Sequence, residues 1–468
     1  MQNANRTLAC VLGCMLSGAA VTASAQDWPQ WRGANRDAKA ANFTPPQTWP
    51  KQLNQKWKVP VGNGDATPAL VGDRIFAFGR QDANEVIRCL DAADGHEIWK
   101  QEYPAQPATG PAGQHPGPRS SPTVADGKVV TLGVRGALNC YDAATGKPLW
   151  HKDDFQGAAP RFFTSSSPIV IDGLCIAQLG SQDNGAIVAY DLATGDQKWK
   201  WTGDGTAYSS PVLMNLDGAK FLIAETEHKI VAINAADGKL AWETPFAGQG
   251  MGGYNAATPV VDGQTLIFSG GGRGTRAVRI EKKGDGTIAA TPLWNNPDKS
   301  VVFNTPVVKD NMVYGLTQAN ELFCINAQTG QTVWSTSIGG AMGAPGGPGG
   351  GGRPGGPAGA GQGGARPGGP GGPGGGGGGG GRPGGRGGGG MRGGGGMGRG
   401  FGSILDAGPV LMALTPSSEL IVFQPGGEKF TEVARIKVAD TPTYAYPVVS
   451  GNRVIVKDQD SVALLTVD

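Results

Sequence analysis

The sequence predicts an all-β protein built from tandem four-stranded units. Three observations support this fold class: a unit of about 40 to 50 residues recurs along the chain, glycine turns recur inside each unit, and most units end in a tryptophan. Each unit contains short runs of β-branched and apolar residues, the pattern of antiparallel strands joined by hairpins. One such sheet cannot bury both of its faces, so the units must pack against one another.

The unit that begins at Pro122 shows the pattern most clearly. An Asp-Gly turn at Gly127 joins its first two strands, a Thr-Gly turn at Gly146 joins the last two, and Trp150 lies in the fourth strand. Glycine suits these turns because it adopts positive φ without steric cost.

Counting the repeats predicts a β-propeller with eight four-stranded antiparallel blades. Eight prolines are expected to begin first strands, at Pro68, Pro122, Pro168, Pro211, Pro259, Pro306, Pro409 and Pro447. The eighth unit stops at Asp468 after three strands, and residues 56–59 around Trp57 are expected to supply its missing outer strand. This pairing would close the ring and remove an exposed edge. A seven-bladed ring is the fallback.

The fourth-strand tryptophans are interpreted as structural residues between blades. They are Trp57, Trp99, Trp150, Trp199, Trp242, Trp294 and Trp334. Because they keep the phase of the repeat, each ring should be buried and each indole N–H should find a partner. A row of aromatic platforms for a ligand is the alternative interpretation.

Four cysteines follow the predicted cleavage site, at Cys89, Cys140, Cys175 and Cys324. Three of them occupy one third-strand position that is alanine in other units, which indicates a small buried site. We therefore expect free, buried thiols, although an even count in an exported protein permits disulfides.

The first 25 residues have the pattern of a signal peptide. Arg6 supplies a positive charge, an apolar run follows, and Ala25 ends a small-residue cleavage site before Gln26. We expect a periplasmic or secreted protein with a strap at residues 26–55 before the propeller at 56–468. Lipid anchoring at Cys14 is the alternative. The apolar run is too short to span a bilayer well, so no transmembrane segment is predicted.

A Gly/Pro/Arg-rich insertion at residues 339–402 divides the propeller repeats. It holds six arginines and no acidic residue, so removing these and Arg6 from the net charge of +2 leaves −5 for the folded part. The composition predicts disorder. A tolerated low-complexity expansion and a basic arm that contacts anionic polymer, membrane or nucleic acid are the two interpretations. The mildly acidic body does not predict a specific nucleic-acid partner.

The block from Ala143 to Trp150 (AATGKPLW) resembles the repeat of pyrroloquinoline-quinone (PQQ) propellers, and related blocks end at Trp99 and Trp242. The resemblance covers residues 56–468 apart from the insertion. Quinoprotein dehydrogenases of this family bind PQQ and calcium on the propeller axis. The propeller lipoprotein of the outer-membrane barrel-assembly machinery is similar in fold and serves as a cofactor-free scaffold.

The sequence favours the scaffold branch of this family. It has no adjacent cysteine pair, most connections between blades are short, and no calcium-binding or catalytic set can be placed on matching motifs. We therefore assign no catalytic residue, metal ligand or cofactor, with PQQ and calcium kept as the alternative.

A binding site is expected where the connections between blades meet at one mouth of the channel. The candidate rim residues are Asp65, Arg119, Ser165, Tyr208, Tyr254, Asn255, Ala256, Phe303, Asn304, Asp406 and Tyr444. Acids, amides, tyrosines and an arginine could bind a polar ligand, a peptide or a cation. A water-filled channel mouth would be polar without any ligand.

The sequence therefore predicts a monomeric, non-catalytic envelope scaffold that binds protein or anionic polymer through this rim. A degenerate quinoprotein-like dehydrogenase or another small-ligand propeller is the alternative.

Overall fold

The computed structural model describes residues 26–40, 42–248, 253–339 and 400–468. The predicted signal peptide, the alternative anchor Cys14 and most of the glycine-rich insertion lie outside these residues.

Thirty-two strands form eight four-stranded antiparallel sheets arranged as a ring. The prediction of an eight-bladed propeller is confirmed. Seven sheets have sequential strand order, whereas the last has the order β1-β32-β31-β30. The described part also contains one 3-10 turn, at Gly110–Ala112.

Blades one to four take their strands in chain order. These strands are β2 (Ala69–Val71), β3 (Arg74–Gln81), β4 (Asn84–Asp91), β5 (Glu97–Pro104), β6 (Thr123–Ala125), β7 (Lys128–Leu132), β8 (Leu138–Asp142), β9 (Pro148–Lys152), β10 (Ile169–Ile171), β11 (Leu174–Gly180), β12 (Gly185–Asp191), β13 (Gln197–Trp201), β14 (Val212–Leu216), β15 (Ala219–Glu225), β16 (Lys229–Asn234) and β17 (Leu240–Pro245).

Blades five to eight continue the order, and the eighth adds β1 from the start of the described chain. Their strands are β18 (Val260–Asp262), β19 (Thr265–Gly270), β20 (Gly274–Lys282), β21 (Ile288–Asn296), β22 (Val307–Lys309), β23 (Met312–Leu316), β24 (Glu321–Asn326), β25 (Thr332–Ser337), β26 (Ser403–Ala407), β27 (Val410–Leu414), β28 (Glu419–Phe423), β29 (Glu432–Lys437), β30 (Val448–Ser450), β31 (Arg453–Lys457), β32 (Ser461–Thr466) and β1 (Asn54–Pro60).

The ring closes through β1, as predicted. It pairs antiparallel with β32, placing Trp57 opposite Leu464, with a register shift between Gln55 and Trp57. The same shift recurs between the third and fourth strands of every other blade. A bulge re-aims the side chain beside it, and here it lies next to the position that carries tryptophan in seven blades.

Each of five tryptophans docks on the last turn of the following blade. Trp57 Nε1 donates to Ala92 O at 3.1 Å, and Trp99, Trp150, Trp199 and Trp294 make the corresponding bond at 2.7–3.1 Å. The turn glycine lies against the indole, so a Cβ on Gly146 would come within 2.6 Å of Trp99. Glycine is therefore required here both for positive φ and for close approach.

The seam between blades seven and eight lacks both the tryptophan and the turn that form this contact elsewhere. Ala434 occupies the tryptophan position of blade seven, opposite Val422. Blade eight has no turn between its third and fourth strands, because β32 ends at Thr466 and β1 comes from the other end of the chain. A tryptophan at position 434 would therefore have no turn on which to dock.

The four cysteines are free and buried, as predicted. Cys89, Cys140 and Cys324 each lie opposite a fourth-strand tryptophan. Burial raises the pKa of Cys89 and Cys324 to about 11, so both remain thiols at neutral pH.

Candidate functional site

Connections between the blades form one face of the ring, which we call the mouth. They comprise residues 61–68, 105–122, 153–168, 202–211, 246–248 with 253–259, 297–306, 338–339 with 400–402, and 438–447. Each connection leads from an outer strand to the next inner strand, so all eight approach the propeller axis from the same side.

Seven of the eight connections contribute one ring to a continuous aromatic arc at the mouth. The rings belong to His115, Phe162, Tyr208, Tyr254, Phe303, Phe401 and Tyr444. All seven are at least partly exposed, and Phe401 has 38% exposure. Single exposed apolar residues are ordinary, whereas a contiguous apolar surface marks an interaction site.

The rings of the arc are in direct contact with one another. Phe303 and Phe401 stack with 4.2 Å between centroids and an interplanar angle of 2°. Tyr444 meets the edge of Phe401 at 5.7 Å, and Tyr254 lies 6.3 Å from Phe303 on the other side. Since these residues come from different connections, their contacts also hold neighbouring connections together.

The eighth connection completes the ring through Asp65. The Oδ2 atom of Asp65 lies 2.7 Å from His115 Nδ1, and the imidazole meets Tyr444 edge-on at 4.7 Å. Arg119 links the two ends of the arc, because it donates to the carbonyls of His115 and Phe162. Burial lowers the pKa of Arg119, an effect opposed by the nearby charge of Asp65.

Asn255 and Asn304, predicted at the rim, lie beneath it. Asn255 has 1% exposure, and its amide donates to the carbonyls of Thr226, Glu227 and Phe246. Asn304 donates to Leu316 O and Gly400 O. These side chains support the connections and do not form the exposed surface. Ser165 plays a similar part, since its hydroxyl donates to Tyr208 O at 2.9 Å.

The predicted position of Asp406 is wrong. Pro409 lies in the hairpin between β26 and β27, so it does not begin a first strand, and Asp406 lies near the far end of β26. There it pairs with Lys309 at 3.0 Å. Counting back along β26 places Phe401 at the rim position instead. The only local signal for this assignment is the lone phenylalanine at the end of the glycine-rich insertion.

A ring of hydroxyl groups lies directly below the mouth. At most strand starts the residue before the proline is serine or threonine, and its hydroxyl accepts the backbone N–H of the equivalent residue in the neighbouring blade. The ring runs through Thr67, Ser121, Ser167, Ser210, Thr258, Thr305 and Tyr446, with N···O distances of 2.9–3.4 Å. These bonds fix the relative positions of the inner strands.

The axis below this ring is filled by the strap. Arg36, 3% exposed, donates to the carbonyls of Ser167, Pro168 and Pro211 in blades three and four. Arg32, 1% exposed, donates to Pro306 O of blade six at 2.8 Å. Together the two side chains contact the inner-strand starts of blades three, four and six, so they lie in the lumen. Burial lowers the pKa of Arg36 to about 9.

This filled axis does not fit a planar quinone and calcium at the level of the strand starts. Two guanidinium groups occupy the position, and a cation there would be repelled by their charge. In the described residues, the side-chain cluster with metal-ligand spacing is Asp91, Asp94 and His96. It lies in the turn between β4 and β5, on the face opposite the mouth, with two of its members exposed.

No helix among the described residues is long and apolar enough to cross a membrane.

Sequence relatives include both branches of the predicted family. The chain is 30% identical over 140 residues to quinohemoprotein alcohol dehydrogenase of Comamonas testosteroni, covering 29% of this chain and 19% of that protein. It is 25% identical over 293 residues to outer membrane protein assembly factor BamB of Burkholderia pseudomallei, covering 60% and 68%. The chain thus spans about a fifth of the dehydrogenase and two thirds of BamB.

Solved structures show the same fold. The crystal structure of BamB from Moraxella catarrhalis superimposes with a TM-score of 0.58 at 13% identity, covering 88% of this chain and 99% of that one. The Comamonas testosteroni dehydrogenase gives a TM-score of 0.61 at 14% identity, covering 94% and 80%. The family model described as outer membrane protein assembly factor BamB matches residues 83–336, more than half of the chain. The chain therefore belongs to this family of PQQ-like propellers.

Proposed function

We propose that the protein is a non-catalytic scaffold of the cell envelope that binds a partner protein through its mouth. The observation that supports this proposal is the aromatic arc, in which seven connections each place one ring on the same surface. Aromatic residues are enriched at protein interfaces and carry much of their binding energy.

The support below the arc is cross-linked by hydrogen bonds between blades, which suits a preformed binding surface. The hydroxyl ring ties the strand starts together, and the buried arginines tie them to the strap. A preorganised surface loses less conformational entropy on binding than a flexible one does.

Site-directed photo-crosslinking tests the proposal. A photoreactive phenylalanine analogue at Phe401 should yield a defined covalent adduct in an envelope preparation, and the same analogue at Leu149 should not. Leu149 is a matched control because it is exposed to 40%, similar to Phe401, but lies on the outer strand β9. Tyr254→Ala with Phe303→Ala should abolish the adduct. Identical adducts from positions 401 and 149 would contradict the proposal.

The same capture, repeated on a chain without residues 340–399, separates the two interpretations of the insertion. If the insertion is a tolerated expansion, its deletion leaves the adduct yield unchanged. If it is a binding arm, its deletion lowers the yield.

Intact-mass measurement of the mature protein tests export, because cleavage as predicted begins the chain at Gln26. A lipid-modified Cys14 at the N-terminus would contradict soluble export.

The second candidate is a quinoprotein-like dehydrogenase. It is favoured by the 30% identity over 140 residues to the Comamonas testosteroni enzyme, and opposed by Arg32 and Arg36 on the axis. PQQ with calcium should then raise the melting temperature and support dye-linked alcohol oxidation. Absence of both effects would remove this candidate.

A further inference from the structure

A cleft lies between blades seven and eight, at the seam that lacks the tryptophan contact. Its volume is about 350 Å³. Its walls come from three parts of the chain: the end of β29 with the residues that follow it, the strands β31, β32 and β1 of blade eight, and residues 51–53 of the strap. We call this cleft the seam site.

The buried part of the seam site is mainly apolar. Five of the six buried residues in its lining have apolar side chains, and each is at most 7% exposed; they are Leu53, Val438, Val456, Ala463 and Leu465. A ligand that covers these side chains would remove apolar surface from water, which favours binding.

The sixth buried residue, Asp458, has its carboxylate engaged by the protein. Its Oδ2 atom accepts a hydrogen bond from Lys58 Nζ at 2.8 Å, and Oδ1 accepts the backbone N–H groups of Asp460 and Ser461. Lys58 and Asp458 therefore neutralise each other, and the net charge of the seam site depends on the other charged residues in its lining.

Those other charges favour an anion. Lys51 of the strap and Lys437 of blade seven enter the lining from different walls. Lys437 Nζ donates to the neutral carbonyl of Ser417, and Lys51 has neither a hydrogen bond nor an ion pair with any residue that the structure describes. Asp440 is the other acid in the lining and is exposed. Two lysines without a carboxylate partner thus face one aspartate.

We infer that the seam site binds a small anionic amphiphile, with a carboxylate or phosphoryl headgroup at Lys51 and Lys437 and an apolar tail over the buried side chains. Small-ligand sites enclose roughly 300–1,000 Å³ and combine an apolar lining with a few polar groups. The lysines also add apolar stems beneath their charged ends. None of the rings of the aromatic arc lines this cleft, so the inference does not depend on the proposed function.

An acidic peptide would match the same charges. Its backbone N–H and C=O groups would, however, have to leave water above an apolar lining that offers them few partners, which costs free energy. The seam site therefore favours an amphiphile, and tighter binding of a peptide is one outcome of the test below.

The test measures binding of decanoate, decyl phosphate and decyltrimethylammonium to the full mature chain by isothermal titration calorimetry, below the concentration at which each forms micelles. These probes share one tail and differ in their headgroups. At least one of the two anions should bind roughly fivefold or more tightly than the cation. The anion that binds more tightly identifies the headgroup as carboxylate or phosphoryl.

Variants locate the bound headgroup. Lys51→Gln and Lys437→Gln should each weaken anion binding roughly two- to fivefold, because each removes one exposed charge pair. Asp440→Asn should strengthen anion binding, because it removes the opposing charge. Lys147→Gln is the matched control, since Lys147 is exposed in the turn between β8 and β9, and it should change nothing.

Four results would overturn the inference: no binding of either anion, equal affinity for anions and cation, unchanged affinity in the double variant Lys51→Gln with Lys437→Gln, or a glutamate decapeptide that binds more tightly than both anions. Melting curves of the variants exclude unfolding as the cause of lost binding. These results do not bear on crosslinking at position 401, so the seam site and the proposed function can fail separately.

Discussion

The backbone N–H of Tyr446 donates to Thr67 Oγ1 at 2.9 Å, across 379 residues of chain. This bond closes the hydroxyl ring below the mouth, because Tyr446 Oη in turn accepts the N–H of Thr305 at 3.4 Å. One tyrosine thereby links blades six and one and bypasses blade seven, whose first strand is preceded by Gly402 where other blades have a hydroxyl residue before proline.

Replacing Thr67 tests this ring. Thr67→Val keeps the shape and removes the acceptor, which leaves the buried N–H of Tyr446 unpaired, so we expect a loss of about 1–3 kcal/mol in the free energy of unfolding. Denaturant titration measures it. Thr67→Ser keeps the hydroxyl and should cost less; equal losses for the two variants would contradict a role for the bond.

The tryptophan contacts predict different costs at two seams. Trp57 donates to Ala92 O, whereas Trp334 Nε1 is buried without a hydrogen-bond partner among the described residues. Trp57→Phe and Trp334→Phe both replace the indole with a smaller ring, but only Trp57→Phe leaves Ala92 O without its hydrogen bond. We expect the first variant to lose about 1 kcal/mol more in unfolding free energy. The reverse order in thermal or urea unfolding would show that the N–H contact is unimportant.

Two turn glycines of blade four separate backbone strain from close packing. Gly218 and Gly238 have φ of +80° and +74°. A Cβ on Gly238 would lie 2.7 Å from Trp199, whereas nothing lies within 4 Å of one on Gly218. Gly218→Ala should therefore lower the free energy of unfolding only through backbone strain. Gly238→Ala should cost roughly 1–3 kcal/mol more, the range for overpacking. Similar melting temperatures for both would contradict the docking contact.

Glu225 predicts a pH dependence of stability. Its carboxyl group is buried without a hydrogen-bond partner among the described residues, and burial raises its pKa well above the usual value, opposed by Arg273. The folded protein keeps this proton where the unfolded chain releases it. This contribution to stability is therefore complete below the unfolded pKa near 4.5 and is lost as the pH rises towards the folded pKa.

Glu225→Gln should remove this dependence. The variant should match the parent near pH 4.5 and become more stable than the parent at pH 7, by about 1.4 kcal/mol for each pH unit that separates the unfolded pKa from pH 7 or from the folded pKa, whichever is lower. Unfolding free energies at several pH values measure the difference. Glu428→Gln, at an exposed position, is the control. A pH profile that Glu225→Gln leaves unchanged would contradict the assignment.

Residues close in sequence determined the repeat, the number of blades and the closing strand. The turn glycines, the tryptophans and three of the four cysteines keep a common phase, because each blade packs against its neighbour through the same contacts. Even the missing tryptophan of blade seven follows this rule, since blade eight offers no turn for it. The sequence alone was thus enough to place Trp57 beside the strand that ends near Asp468.

The composition of the mouth depended on contacts that no local pattern encodes. Pro409 precedes an apolar run, as a strand-initial proline does, but it lies in a hairpin. This similarity led to the wrong position for Asp406 and left Phe401 unrecognised. His115 meets Tyr444 only because the ring closes. No sequence pattern distinguishes Arg32 and Arg36, and their side chains lie on the propeller axis only because the blades close into a ring around the strap. Periodicity specifies a blade, whereas the site forms where eight connections distant in sequence meet on one axis.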